Sequence, residues 1–263
     1  MKIVVCIKQV PDTTDVKINP ETNTLIREGV ASIINPFDMY AIEEAVRLKE
    51  RFGGEAIVVT MGPPQAQDAL REALSLGADS AIHLSDRAFA GSDTWSTSLI
   101  LARAIARIDD VDLIICGKQA SDGDTAQVGP GIGAHLDLAQ ATYVRRIDTV
   151  HLDTTPKVMV VERLLEEGYE LIEVKLPALI TVVKEINEPR MPSLRGKMNA
   201  RKTVIPTWTN KELNIEEDRI GLNGSPTQVV KIFTPPQKEG GKILEGEAKE
   251  VVNELFEEVK DIL

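Results

Sequence analysis

The sequence predicts a doubly wound α/β fold, a mainly parallel sheet with antiparallel additions and a C-terminal arm ending in a helix. Three observations carry this reading. Short β-branched apolar runs alternate with segments of helical period, the signature of strands joined by crossover helices. Aromatic residues are only 4% of the chain, so the core falls to Val, Ile, Leu and Ala, which suits a sheet buried on both faces. Each strand-like run also empties into a loop rich in Gly, Pro, Asn or Asp.

In chain order, residues 2–8 read as a buried strand. Residues 12–27 are polar and predict a short hairpin around Pro20 and Asn23. Asn35-Pro36-Phe37-Asp38 turns into a helix with the stripe Ile42, Ala45, Val46 and Leu48, stopped by Gly53-Gly54. Residues 56–61 are a second strand. Gly62-Pro63-Pro64 opens a helix that presents Leu70, Ala73 and Leu74 and ends at Gly77. Residues 81–84 are a third strand; a loop over 86–92 precedes a helix over 93–108, capped by Ser92 or Asp93. Asp112-Leu113-Ile114-Ile115-Cys116 is the fourth strand, followed by a Gly-bearing loop and a helix over 128–138.

After Ala141 the pattern changes. Residues 158–163 and 170–176 predict antiparallel strands joined by Glu166-Glu167-Gly168, with Ile172, Val174 and Leu176 on one face. Residues 178–183 add one more buried strand. Residues 203–237 show little periodicity, and a structureless stretch of that length does not belong inside a compact domain. They are therefore read as an arm reaching a partner and ending in a helix over 245–262, with Val251, Val252, Leu255 and Val259 on one face. The expected division is an α/β domain over 1–204 and the arm over 205–263.

Composition excludes several functions. A net charge of −11 repels phosphate backbones, so nucleic-acid binding is not expected. No apolar run approaches a membrane span, and membrane insertion is not expected either. The N-terminus enters a strand without a signal-like segment, and Cys6 and Cys116 read as free buried thiols, so the expected location is cytoplasmic. His83, His135 and His151 are scattered without metal-ligand spacing. Neither a G-x-S-x-G elbow nor a phosphate-binding G-x-x-x-x-G-K-[ST] motif is present, and no side chain is assigned an acid–base or nucleophilic role.

The strongest local feature is Gly117-Lys118-Gln119-Ala120-Ser121-Asp122-Gly123-Asp124-Thr125-Ala126-Gln127-Val128-Gly129-Pro130-Gly131-Ile132-Gly133. It leaves a parallel strand and feeds a helix, where open α/β sheets bind ligands. Small residues let backbone approach a ligand, and amides at the helix start hold phosphate. A plain Gly-rich strand-to-helix turn remains the alternative, and Gly129-x-Gly131-x-Gly133 does not match the dinucleotide fingerprint. The second feature is residues 184–202, six cations against two anions interleaved with Met191, Leu194 and Met198. It reads as a solvated basic loop or as a docking element for an acidic partner.

These residues resemble the β subunit of electron transfer flavoprotein. The marks are Val4-Val5-Cys6-Ile7-Lys8-Gln9-Val10-Pro11, Asn35-Pro36-Phe37-Asp38, Thr60-Met61-Gly62-Pro63, Gly77-Ala78-Asp79, Gly117-Lys118-Gln119-Ala120, and Arg163, Glu166-Glu167-Gly168, Glu170, Ile172, Pro177 and Leu179-Ile180-Thr181. The resemblance implies a Rossmann-like, adenine-nucleotide-binding domain and an arm around a flavin-bearing α subunit. It implies a pocket of Cys6, Asn35, Pro36, Phe37, Asp38, Met61 and the loop from Gly117 to Val128. In the family's single-flavin branch that pocket holds AMP; in the electron-bifurcating branch it holds the adenosine end of a second FAD. Residues 122–130, and Ala90-Gly91-Ser92-Asp93-Thr94, look like the bifurcating branch. That branch takes hydride from NADH and divides electrons between ferredoxin or flavodoxin and, through the α-subunit FAD, an acyl-CoA dehydrogenase-type partner. The activity would belong to the complex. Asp93 and Thr94 are candidates for the flavin or nicotinamide region. Residues 182–204 align with the family's partner-recognition loop, with Leu194 as apolar anchor beside Arg190, Met191, Arg195 and Met198. A rival of another class is a stand-alone adenylate-binding module, which needs no arm and no such loop.

Overall fold

Strand β1 (Lys2–Cys6) runs down the middle of the sheet, and its alternating side chains explain why both faces are covered. Ile3 and Val5 point into one apolar layer and Val4 and Cys6 into the other, as period-2 geometry requires. The computed structural model describes residues 1–12, 32–230 and 241–260. The hairpin expected around Pro20 and Asn23 lies outside them.

Short strands β2 (Gln9–Pro11) and β3 (Ser32–Ile34) pair antiparallel and lead into helix α1 (Pro36–Phe52). Next come β4 (Glu55–Met61), α2 (Gln67–Leu76), β5 (Ser80–Leu84), α3 (Thr94–Ile105), β6 (Leu113–Gly117) and α4 (Val128–His135). Then follow β7 (Ala139–His151), β8 (Val158–Leu164), β9 (Tyr169–Lys175) and β10 (Ala178–Val182). Helix α5 (Leu194–Lys202), β11 (Thr207–Trp208), α6 (Asn210–Leu213) and α7 (Ala248–Val259) complete the chain.

Among the described residues the main sheet has the order β11-β5-β4-β1-β6-β10-β7-β8-β9. It is parallel from β11 to β7 and antiparallel over β7, β8 and β9. Buried residues of α1 and α2 pack on one face; those of α3 and α4 pack on the other. This is the doubly wound arrangement the alternating pattern predicts.

Two readings change. Residues 139–151 form one long strand that the sequence did not reveal; its polar Arg145, Arg146, Asp148 and Thr149 mask the period, and its bulged pairing with β8 breaks strict alternation. The first compact unit also extends to Val230, past the expected division at 204/205, and the second covers Lys231–Leu263. Residues 205–230 fold onto the sheet edge: β11 pairs with β5, and Leu213, Ile215 and Ile220 are buried. In the second unit α7 buries none of its residues, and Lys242 pairs with Glu254 and Glu258. Among the described residues no helix is long and apolar enough to cross a membrane.

The centre of the sheet dominates packing: Val4, Ile114 and Leu179 expose no surface. Truncating Ile114 to Ala removes contacts the surrounding strands cannot replace. The expected cost is roughly 2–5 kcal/mol, read from denaturant unfolding of Ile114→Ala against wild type.

Candidate functional site

From β1 the chain passes to β4 and β5 on one side and only later to β6 on the other. The crevice at such a switch point opens beyond the carboxyl ends of the strands. Cys6, Met61 and Gly117 stand at those ends in β1, β4 and β6. The structure thus brings together the sequence-predicted residues 6, 35–38 and 117–128, with Met61 on the same rim.

Asn35 and Asp38 knit this edge. Asn35, at the start of α1, makes no capping bond with its side chain. Its Nδ2 instead donates to Asp38 Oδ1 at 3.0 Å and to the Gln119 carbonyl at 2.8 Å, and its Oδ1 accepts from the Ser121 amide at 3.0 Å. Asp38 Oδ2 accepts from the Lys8 amide at 2.7 Å. Both side chains are buried, so each polar atom needs such a partner. Gly117 closes the junction: a Cβ there would overlap Asp38 Oδ1 and sit 2.7 Å from the Phe37 carbonyl carbon. Burial pushes the Asp38 carboxyl up to about 7, against the opposing bonds from Asn35, Lys8 and Gly117 and the Lys8 charge.

The loop after β6 turns on itself. The Asp124 amide donates to the Ala120 carbonyl at 2.9 Å, and Asp124 and Ala126 adopt left-handed backbone with φ of +50° and +54°. Such alternation turns successive amides toward a common point, a geometry suited to anions. Helix α4 follows without a side-chain cap, and the first amides of a helix have no intrahelical partner. The two carboxylates of this loop are engaged: Asp122 pairs with Lys8 Nζ at 2.6 Å, and Asp124 accepts from Gln119 Nε2. Ser121, Asp122, Gly123, Asp124 and Thr125 are exposed. A Cβ at Gly123 meets nothing within 4 Å. Thr94 Oγ1 donates to Gln127 Oε1 at 2.8 Å, tying the start of α3 to this loop.

The following glycines serve packing. A Cβ at Gly129 would lie 2.7 Å from Thr181 Cγ2, at Gly131 2.6 Å from Ser98 Oγ, and at Gly133 2.7 Å from Gln140 Nε2. They let α4 approach β10, α3 and β7 in turn. Cys6 and Cys116 are register partners in β1 and β6, free and buried. The hydrogen bond with Cys6, together with burial, pushes the Cys116 thiol up, so it stays a neutral packing group.

Lys118 holds its ammonium 5.0 Å from the Tyr143 ring and 6.0 Å from that of Phe37. Asp93 spends both carboxylate oxygens internally. Oδ1 accepts from Ser96 N at 3.0 Å, and Oδ2 from Thr227 N at 2.9 Å and Thr227 Oγ1 at 2.8 Å. It therefore caps α3 and fastens residues 225–227, leaving Thr94 as the nearer of that pair to the crevice. Arg190, Met191, Leu194, Arg195 and Met198 lie away from this edge, around the start of α5. Met191 is 87% exposed and Leu194 78%.

Sequence reading missed Lys8 as the partner of Asp122, and Tyr143. Tyr143 takes a φ of +59°, rare for an aromatic residue, where β7 bulges against β10. Nothing in its local sequence marks it; the bulge depends on a neighbour distant in the chain.

A Rossmann-like α/β protein with its loops gathered at the switch point is the class this fold and edge define. A family model described as the electron transfer flavoprotein domain matches residues 22–213. The chain is 52% identical over 258 residues to the electron transfer flavoprotein subunit beta of Thermoanaerobacterium thermosaccharolyticum, covering 98% of this chain and 97% of that protein. It is 49% identical over 263 residues to the caffeyl-CoA reductase–Etf complex subunit CarD of Acetobacterium woodii, covering 99% and 98%. It is 50% identical over 250 residues to protein FixA of Azotobacter vinelandii, covering 93% and 88%. The chain belongs to the electron transfer flavoprotein family, as a β subunit.

The raised Asp38 carboxyl makes stability pH-dependent. The native state holds this proton between about pH 4 and 7, where the unfolded chain has released it. Its contribution is therefore full below about pH 4 and declines as pH rises through 7. Thermal unfolding from pH 8 to pH 5 is expected to shift in favour of wild type relative to Asp38→Asn as pH falls; parallel curves would contradict it.

Proposed function

We propose that this chain is the β subunit of a heterodimeric electron transfer flavoprotein and holds the adenosine diphosphate end of FAD in the β1–β6 crevice. One observation carries the reading: the start of α4 without a side-chain cap, preceded by a loop with left-handed backbone at Asp124 and Ala126 and with its carboxylates engaged by Lys8 and Gln119. The donor set suits a phosphate, and the open space at Gly123 suits backbone approach.

Within this reading the chain's residues bind and position. Asn35 and Asp38 fix the loop; Thr94 and Gln127 join it to α3. No side chain acts as acid or base. The loop at 117–128 and the start of α4 would hold the flavin's adenosine end, and the bound group would supply the redox chemistry for hydride uptake from NADH and for electron delivery to ferredoxin or flavodoxin and, through the α-subunit FAD, to an acyl-CoA dehydrogenase-type partner. The activity belongs to the complex, and the free, buried thiols accord with a cytoplasmic setting.

The exposed apolar residues of α7, Val252, Leu255 and Phe256, suit an α-subunit surface. Met191, Leu194 and Met198 suit docking of the dehydrogenase-type partner. A stand-alone adenylate-binding module leaves both sets unexplained. The two-FAD form is favoured over a single-flavin carrier with AMP in this subunit by the likeness of residues 122–130 to the bifurcating branch. The similarity to CarD, named for a caffeyl-CoA reductase–Etf complex, is consistent with a reductase-type partner.

Extraction of cofactors from the co-purified heterodimer is expected to give two FAD per pair; one FAD and one AMP overturns the two-flavin reading. Gly123→Leu is accommodated by the fold, since nothing lies within 4 Å of its Cβ, but obstructs the crevice. Its expected effect is a loss of about tenfold or more in retention of the β-subunit nucleotide, with the unfolding temperature of the nucleotide-free protein unchanged. Equal retention would remove close backbone approach from the account.

A further inference from the structure

Residues 183–202 leave β10, cross α1 and finish on α2, and their bonding is concentrated at the two ends. At the first end Asn187 Nδ2 donates to the Tyr40 carbonyl and to Glu44 Oε2, both at 3.0 Å. Arg190 then grips α1 through a fork. Its Nε and backbone amide reach Glu43 Oε2 at 2.8 and 3.1 Å, and its Nη2 reaches Glu43 Oε1 at 3.2 Å. Its Nη1 and Nη2 reach Glu50 Oε1 and Oε2 at 2.6 and 3.0 Å. Arg47 closes the cluster, donating to Glu43 at 2.6 Å and to the Glu188 carbonyl at 3.1 Å. At the second end Ser193 caps α5, and Arg71 of α2 holds the Ala200 carbonyl at 2.7 Å. Between these anchors Met191 and Leu194 stand exposed.

Four of the five N–H donors of the Arg190 fork, together with its backbone amide, go to two carboxylates of this chain, and bidentate Arg–carboxylate pairing is both strong and directional. Burial pushes Glu43 up, but the bonds from Arg190 and Arg47 outweigh it and hold it below the usual carboxylate range. The Arg190 bond does the same to Glu50.

We propose that Arg190 is a positioning residue: clamped to Glu43 and Glu50 of α1, it sets the path of the loop so that Met191 and Leu194 meet the partner. This revises the expectation that Arg190 itself contacts the partner. It rests on the reading of residues 182–204 as the recognition loop for a dehydrogenase-type protein.

The test compares Arg190→Lys, Arg190→Gln, Glu50→Gln and Leu194→Ala in the intact heterodimer, with two readouts. Amide hydrogen exchange over residues 186–195 needs no partner. Steady-state electron transfer to the dehydrogenase separates KM from kcat. Both Arg190 variants and Glu50→Gln are expected to exchange faster and to raise KM by roughly tenfold with kcat changed less than about twofold. Combining Arg190→Gln with Glu50→Gln is expected to add little, because both break one unit. Leu194→Ala is expected to raise KM with exchange unchanged. Arg190→Lys retains the charge without the fork, so its failure to rescue marks geometry over net charge.

If the Arg190 variants raise KM at unchanged exchange while Glu50→Gln behaves as wild type, Arg190 is a partner contact and the proposal falls. If exchange quickens but transfer slows only in Leu194→Ala, the positioning role falls and the recognition reading survives. If transfer is unaltered in every variant including Leu194→Ala, the recognition reading falls and takes the positioning role with it.

Discussion

A buried amide and a buried carboxyl, Asn35 and Asp38, set the geometry of the sheet edge beyond β1 and β6. Burying such groups costs free energy unless each polar atom is bonded. Here the bonds run to the backbone at Lys8, Gln119 and Ser121, beyond the ends of two adjacent strands. Helix α1 therefore cannot shift without breaking bonds to β1 and to the loop after β6. Because Asp38 presses against Gly117, that position must lack a side chain. In the loop that follows, Asp122 is engaged by Lys8 and Asp124 by Gln119.

Much of this was legible in the sequence because its cause is local. The strands at 2–6, 55–61 and 113–117 announce themselves as continuous apolar runs, since both faces of a parallel sheet are buried. Asn35-Pro36 marks a helix start through the fixed φ of proline. Strand β7 was not legible, because it lies toward the sheet's antiparallel margin and alternates charged residues with apolar ones around bulges. Residues 205–230 also misled. They join the first unit by a two-residue strand and by bonds that the Asn210 and Thr227 amides donate to Asp86 and Asp93, and neither leaves a periodic trace. Within the site, the loop at 117–128 was visible as glycines and small polar residues. The Lys8–Asp122 pair and the strained Tyr143 arise from contacts between distant segments, which spacing does not encode.

Helix α1 serves both ends of the proposed function. Its first turn carries the Asn35–Asp38 junction at the crevice; further along, Glu43 and Glu50 hold the loop that bears Leu194. One helix thus holds the proposed cofactor end and the proposed docking end in a common frame. The basic, apolar character of that loop on a chain of net charge −11 gives a partner a local surface unlike the rest of the molecule. In the proposed reading, chemistry is left to the bound group and the chain's task is placement.

The most direct test of the central claim is a crystal structure of the co-purified heterodimer, read for the position of the nucleotide diphosphate. The account predicts density at the rim between β1 and β6, within hydrogen-bond distance of amides from the 121–128 loop and the start of α4. A crevice filled by the chain's own side groups, with the diphosphate seated elsewhere, would contradict it.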